Sequence, residues 1–197
     1  IVTGVGNDYT GASVASAGDI NGDGLADAVM TVQKDNTNVN STSNSAYVIY
    51  GKSNASTVYG SSLNVSGIAS SLGFQIKGNA DSFGTAASNA GDVNGDGLND
   101  LLVTGNNNAF VIYGSASGGT VDLVGNNIAS SQGYKITSAT VLDLGASASG
   151  VGDFNGDGLA DVILSATDRA YVVYGKSSAS NVAINGTIDS SNGFRIQ

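Results

Sequence analysis

The sequence contains no cysteine, histidine, proline or tryptophan, and no glutamate, since all sixteen of its acidic residues are aspartate. Lack of cysteine rules out disulfides and thiolate metal sites. Lack of histidine as well removes the usual zinc and copper ligand sets, together with the Ser/His and Cys/His catalytic pairs. Lysine and arginine number only seven, scattered singly from Lys34 to Arg195. A nucleic-acid surface needs a basic stripe, so no nucleic-acid partner is expected. The apolar runs are short, as at 28–32, 101–103 and 162–164. None approaches the length of a membrane-spanning helix, and no membrane insertion is expected. The first residue is Ile1, with no initiator Met, which leads us to expect a processed or excised piece of something longer.

What is present is enough for a folded core: 41% of the 197 residues are hydrophobic. The formal net charge is −9. Nine of the sixteen aspartates fall in three short loops, so the negative charge gathers at sites and is not spread over a face. The acidic, Asn/Ser/Thr/Gly-rich composition fits a surface facing the outside of a cell, and an extracellular or cell-surface location is expected.

The chain repeats itself. The block Gly18-Asp19-Ile20-Asn21-Gly22-Asp23-Gly24-Leu25-Ala26-Asp27 recurs at 91–100 and at 152–161. Each copy is followed by an apolar run and then by Ala46-Tyr47-Val48-Ile49-Tyr50-Gly51, matched at 109–114 and 170–175. A last block, Gly73-Phe74-Gln75-Ile76, is matched at 133–136 and 193–196. We therefore read 1–197 as a single repeat region, with repeats at approximately 1–73, 74–133 and 134–197. The first is the longest because of extra Asn/Ser/Thr-rich sequence at 35–45, which reads as a lengthened surface hairpin.

Each repeat holds four short β-type segments. The first, at 12–17 or 86–90, is built of small residues. The second and third are nearly continuous apolar runs, as expected of strands buried on both faces. The fourth is the aromatic-x-Ile segment. Helical periodicity is missing throughout. The expected fold is all-β: β-propeller blades of four antiparallel strands, with the small first strands at the crowded centre. Ile1-Val2-Thr3 falls in the phase of Phe74-Gln75-Ile76, and 194–197 falls there again. Propellers close with about four to eight blades. Three repeats predict a partial propeller, or a ring completed by further repeats or by other chains.

The aspartate-rich loops have the oxygen chemistry of a calcium site. Calcium takes six to eight oxygen ligands, carboxylates and backbone carbonyls among them. In the first loop, side-chain oxygens of Asp19, Asn21 and Asp23 alternate along a tight turn, and Gly22 and Gly24 permit the positive φ that wraps backbone around an ion. Leu25 would give its carbonyl while its side chain enters the core, and Asp27 would close the cage and start the next strand. The same roles fall to Asp92, Asn94, Asp96, Leu98 and Asp100, and to Asp153, Asn155, Asp157, Leu159 and Asp161. Three sites are predicted; three calcium ions add +6 and would take the net charge from −9 to −3. A helical EF-hand does not fit, because its twelfth loop position is a bidentate Glu and here it is Met30, Val103 or Leu164. Magnesium, which favours strict octahedral geometry and retains waters, fits less well. The competing reading is a set of metal-free turns held by aspartate and asparagine hydrogen bonds. If ions bind, their role is expected to be structural.

At these residues the sequence resembles the FG-GAP repeat family, the blades of the integrin α-chain head propeller and its bacterial relatives. The resemblance is carried by the Asp-x-Asn-x-Asp-Gly-x-x-Asp loops and the Tyr-Val-x-Tyr-Gly strands. Phe83-Gly84 matches the family's name element, whereas the corresponding pairs are Thr10-Gly11 and Leu144-Gly145. The Gly-Ala-Pro element is replaced by Thr31-Val32-Gln33, Thr104-Gly105-Asn106 and Ser165-Ala166-Thr167. The resemblance implies a propeller with calcium in the loop between the first and second strands of each blade, and roles in extracellular adhesion or matrix. Tyr47, Tyr50, Phe110, Tyr113, Tyr171 and Tyr174 suggest blade packing more than a sugar platform, and Asp8, Asp81 and Asp143 suggest turn caps. Four glycosylation-type triplets begin at Asn40, Asn54, Asn64 and Asn185. No acid/base pair stands apart from the repeat, and no catalytic residue is assigned. Three functions fit: a calcium-stabilised propeller segment in cell-surface adhesion or architecture, with a protein or glycan ligand; a subunit that assembles with further repeats or copies of itself into a filament or sheath; and a non-catalytic accessory module of a secreted enzyme.

Overall fold

A computed structural model describes residues 2–3, 9–33, 44–78, 83–105, 107–141 and 143–197. Most of the expected hairpin insert at 35–45, together with Asp8, Asp81 and the Asn40 triplet, lies outside the described residues. Three antiparallel four-stranded sheets follow one another along the chain. The first joins β2 (Tyr9–Gly18), β3 (Asp27–Gln33), β4 (Ser45–Ile49) and β6 (Gly73–Lys77). The second joins β7 (Phe83–Gly91), β8 (Asp100–Gly105), β9 (Asn108–Ile112) and β11 (Gly133–Thr137). The third joins β12 (Ala148–Gly152), β13 (Asp161–Ala166), β14 (Arg169–Val173) and β16 (Gly193–Ile196). These are the blades expected from the sequence, and the three do not close into a ring.

Five short elements complete the architecture. β1 (Val2–Thr3) pairs in parallel with β5 (Leu63–Asn64), β10 (Val121–Asp122) with β6, and β15 (Val182–Ala183) with β11. The linkers between third and fourth strands of the second and third blades thus add a parallel strap to the outer edge of the blade before, and the first linker pairs in the same way with β1, a feature the repeat pattern did not announce. The pairing of Val2 with Leu63 matches that of Ile76 with Val121, so Val2 holds the place of Ile76, one residue away from the sequence alignment. A four-residue helix, α1 (Ala55–Val58), sits in the longer linker of the first repeat and buries none of its residues.

The core lies between blades. β8 and β9 are buried along their whole length, and their side chains divide by the two-residue period of a strand. Leu101, Val103 and Phe110 join Ile20, Val29, Val48 and Phe74 of the first blade. Leu102, Val111 and Tyr134 join Val162, Leu164 and Tyr171 of the third. A smaller cluster around Met30, Tyr47 and Val65 covers the opposite face of the first blade. The first strands of adjacent blades run side by side, as their small residues require. A Cβ at Gly150 would come within 2.6 Å of the Asn89 carbonyl oxygen.

The glycine that opens each fourth strand is fixed by the same closeness. A Cβ on Gly133, whose φ is +143°, would lie 1.9 Å from the Val111 carbonyl oxygen, and neither backbone can yield without breaking the β9–β11 ladder. Gly133→Ala is therefore expected to lower the unfolding free energy by about 3 kcal/mol or more. Gly186→Ala, at φ +79° in open space, should lose only about 1–2 kcal/mol. Urea denaturation of the two variants checks the difference.

Candidate metal centre

Each aspartate-rich loop leaves the first strand of its blade and enters the second, so all three loops lie at one end of the sheets. The loops are copies in detail as well as in sequence. Asp19 accepts the Asp23 N–H at 3.0 Å on one carboxylate oxygen and the Gly24 N–H at 2.8 Å on the other. Asn21 Oδ1 accepts the same Asp23 N–H at 2.9 Å, which brings an oxygen of Asp19 and one of Asn21 around a single donor. Asp23 accepts the Leu25 N–H at 3.0 Å and the Asn21 amide at 3.2 Å. In the second loop Asp92 accepts from Gly95, Asp96 and Gly97, Asn94 from Asp96, and Asp96 from Leu98. In the third, Asp153, Asn155 and Asp157 repeat the pattern with Gly156, Asp157, Gly158 and Leu159. Gly22, Gly24 and their counterparts take φ between +74° and +90°, as the wrap requires.

The ninth loop position behaves differently from the rest. Asp27, Asp100 and Asp161 are buried, at 4%, 0% and 0% exposure, while the loop tips are in solvent. Asp100 accepts the Val93 N–H on one oxygen and the Gly114 N–H on the other, both at 2.9 Å. Asp27 makes the equivalent pair with Ile20 and Gly51, and Asp161 with Phe154 and Gly175. This carboxylate is a clamp between the loop and the end of the blade's third strand. With it turned to those amides, no group of three acidic side chains among the described residues is gathered closely enough to hold a metal ion by itself. The donor set still fits a hard cation. Every candidate ligand atom is oxygen, and a carboxylate oxygen that accepts one N–H retains a second lone pair.

The expected core position of the leucines is corrected. Leu25, Leu98 and Leu159 are half-buried, and the Leu98 side chain lies over Gly22 of the preceding blade's loop, as Leu159 lies over Gly95. Loop and neighbour are joined by main chain too. Asn99 N–H donates to the Asp19 carbonyl at 3.2 Å and Ser115 N–H to the Ile20 carbonyl at 2.9 Å. Ala160 and Lys176 do the same to Asp92 and Val93, at 2.9 and 2.8 Å. Sequence reasoning missed these bonds. Their signal was the glycine after each Tyr of the third strand: a Cβ at Gly114 would lie 2.5 Å from the Asn99 carbonyl and 2.8 Å from that of Ile20.

The aromatic residues considered as a sugar platform are packing groups. Tyr47, Tyr50, Phe110 and Tyr171 are buried, while Tyr113 and Tyr174 are half-buried and pack edge-on or tilted against Tyr134 and Phe194. Asp143 sits at φ +56° and takes the Thr167 hydroxyl at 3.4 Å, in keeping with a turn role. Asn54, Asn64 and Asn185 are exposed.

Burial pushes the Asp100 carboxyl up to about 7, against the two amide bonds that favour its charged form, with Asp96 and Asp92 adding repulsion; Asp27 is raised for the same reasons. The folded carboxyl holds its proton more tightly than the unfolded one, so this contribution is present below about pH 4 and is lost as pH rises through about 7. In chelating buffer the melting temperature should therefore fall between pH 5 and pH 8. Asp100→Asn should flatten that slope while lowering stability by about 1–3 kcal/mol, because one of two buried amides loses its acceptor.

Comparison with known families and proteins agrees with this architecture. Residues 92–164 match the FG-GAP-like repeat and residues 145–184 the FG-GAP repeat. No curated protein matches the chain. The matched residues span the second and third loops with their strands, and the first blade repeats the same hydrogen bonds around Asp19, Asn21, Asp23 and Asp27. Residues 92–184 thus belong to the FG-GAP repeat family, which makes the chain a β-propeller-type module.

Proposed function

We propose that this module binds three calcium ions, one per loop, and that they serve a structural role in an extracellular or cell-surface protein engaged in adhesion or surface architecture. The observation that carries the reading is the threefold repetition of one oxygen-lined loop. Asp19, Asn21 and Asp23, with the Leu25 carbonyl and a free lone pair of Asp27, offer hard ligands, as do their counterparts at 92–100 and 153–161. Asp19 and Asn21 oxygens share one N–H, so the loop is already curled in the sense a cation needs. Bound calcium would neutralise carboxylates that otherwise repel one another within nine residues. Family membership supports the surface location and a non-catalytic binding or structural role, since FG-GAP repeats occur mostly in extracellular and surface proteins. Among the described residues no helix is long and apolar enough to cross a membrane.

Calorimetric titration of chelator-treated protein should find three calcium sites, and fewer than two would overturn the reading. Calcium at about 100 times its dissociation constant should stabilise the fold by about 2.7 kcal/mol per site that binds only the native state. Asp92→Ala should remove one site from the stoichiometry and leave the other two.

A second reading, assembly with further repeats or with copies of this chain, is favoured by the outer face of the third blade. Phe154 is 61% exposed, whereas its counterparts Ile20 and Val93 are 0% exposed beneath the next blade. The Asp153 and Phe154 carbonyls match those that accept interblade N–H bonds at the two internal junctions. A blade of the same kind has the groups to cover this face. Light scattering after size exclusion should show concentration-dependent association that Phe154→Asp abolishes; a monomer at every concentration would leave only a repeat of the same polypeptide as the cover.

A further inference from the structure

The residue after the third-strand Tyr-Gly pair is Lys52, Ser115 or Lys176 in the three repeats. Its main chain is equivalent at the two internal junctions, where Ser115 and Lys176 donate to the preceding blade. The side chains differ, with a physical consequence. At the second junction the Lys176 ammonium stands 4.5 Å from the centre of the Tyr134 ring and donates to the Ser180 carbonyl and, at 3.3 Å, to the Ser180 hydroxyl. At the first junction Phe74 takes the place of Tyr134, and Ser115 that of Lys176. The shorter side chain leaves a cavity of about 240 Å³, lined by Phe74, Tyr113, Ser115, Ser117, Gly118 and Gln132 among others.

A second observation points to a polar occupant. Tyr50 is 5% exposed, and its hydroxyl is buried with no hydrogen-bond partner. That hydroxyl would lie 2.5 Å from a Cβ placed on Gly118, so it abuts the cavity wall at a position where the third repeat carries Ala179. The Tyr113 hydroxyl, on a residue of the lining, is likewise buried without a partner. Buried hydroxyls of this kind are costly unless something bonds to them.

We propose that this cavity receives a primary alkylammonium group, its nitrogen standing over the Phe74 ring as the Lys176 nitrogen stands over Tyr134. A cation over an aromatic face is attracted by the ring quadrupole, and the attraction grows when water is excluded. The serine hydroxyls of the lining supply acceptors for the ammonium protons. A net charge of −9 raises the local concentration of any cation, an effect that salt screens. The same group can come from a free amine or from a lysine side chain of a partner protein. The proposal is independent of the calcium reading, since no residue of the three aspartate loops lines the cavity.

The test is a backbone amide NMR titration of the calcium-supplied chain at constant ionic strength with n-butylammonium, with 1-butanol as neutral isostere and with a blocked lysine amide. Saturable shifts should centre on Ser115, Ser117 and Gly118, with butanol weaker by about tenfold. Whichever cation binds more tightly identifies the source, and failure of both overturns the proposal. Ser115→Lys should fill the cavity with the protein's own ammonium group, abolish these shifts and leave the calcium titration unchanged. Equal binding of butanol, or butylammonium binding that survives Ser115→Lys, or shifts confined to the aspartate loops, would each refute it.

Discussion

The structure depends on a buried carboxylate that ends each loop. A carboxylate taken out of water is costly unless its oxygens are bonded. Asp27, Asp100 and Asp161 meet that requirement by accepting one N–H from the second residue of their own loop and another from the glycine that ends the third strand. Three parts of the chain are thereby fixed to one point: the start of the loop, the start of the second strand and the end of the third. The loop's first two carbonyls are left facing outward, and these receive the next blade. The clamp inside one blade thus sets the surface on which its neighbour docks.

The apolar core follows the same logic. The two large interior clusters are shared between consecutive blades, and β8 and β9 contribute to both, while the smaller cluster around Met30 and Tyr47 stays within the first repeat. Stability in such a stack is close to a sum of unit and nearest-neighbour contributions. The parallel straps tighten each step, because β10 and β15 reach back to the outer strand of the blade before them. Docking between blades is therefore fastened at the loop end by backbone hydrogen bonds, in the middle by apolar packing, and at the outer edge by a two-residue ladder.

Much of this was legible in the sequence because repetition isolates the residues that matter. The runs at 101–103 and 109–112 read as strands buried on both faces, and they are. The small residues of the first strands read as a crowded centre, and Gly150 meets the Asn89 carbonyl there. What stayed hidden was whatever depends on a neighbouring blade. Leu98 looked like a core residue, yet it covers a glycine of the preceding loop, a contact that period and hydropathy within one repeat do not encode. The straps were hidden for the same reason. Two residues such as Val121 and Asp122 carry no strand period, and only the edge they meet makes them a strand. Asp100 was legible as an acidic group at the right spacing, but its two amide partners come from positions seven residues before and fourteen after it, which spacing alone does not reveal.

The distribution of exposure among the loops extends the argument to what an ion would do. The first two loops are partly covered, because Leu98 and Leu159 lie over Gly22 and Gly95 and because Asn99, Ser115, Ala160 and Lys176 bond to their carbonyls. The third loop is exposed from Asp153 to Gly158. A cation held by the first or second loop would fix the carbonyls that the next blade uses, so its binding free energy would reach the interface as well as the turn. At the third loop the same cation would order the turn alone until another blade lay against it. Equal ligands therefore imply unequal contributions, with the difference set by the neighbour and not by the loop.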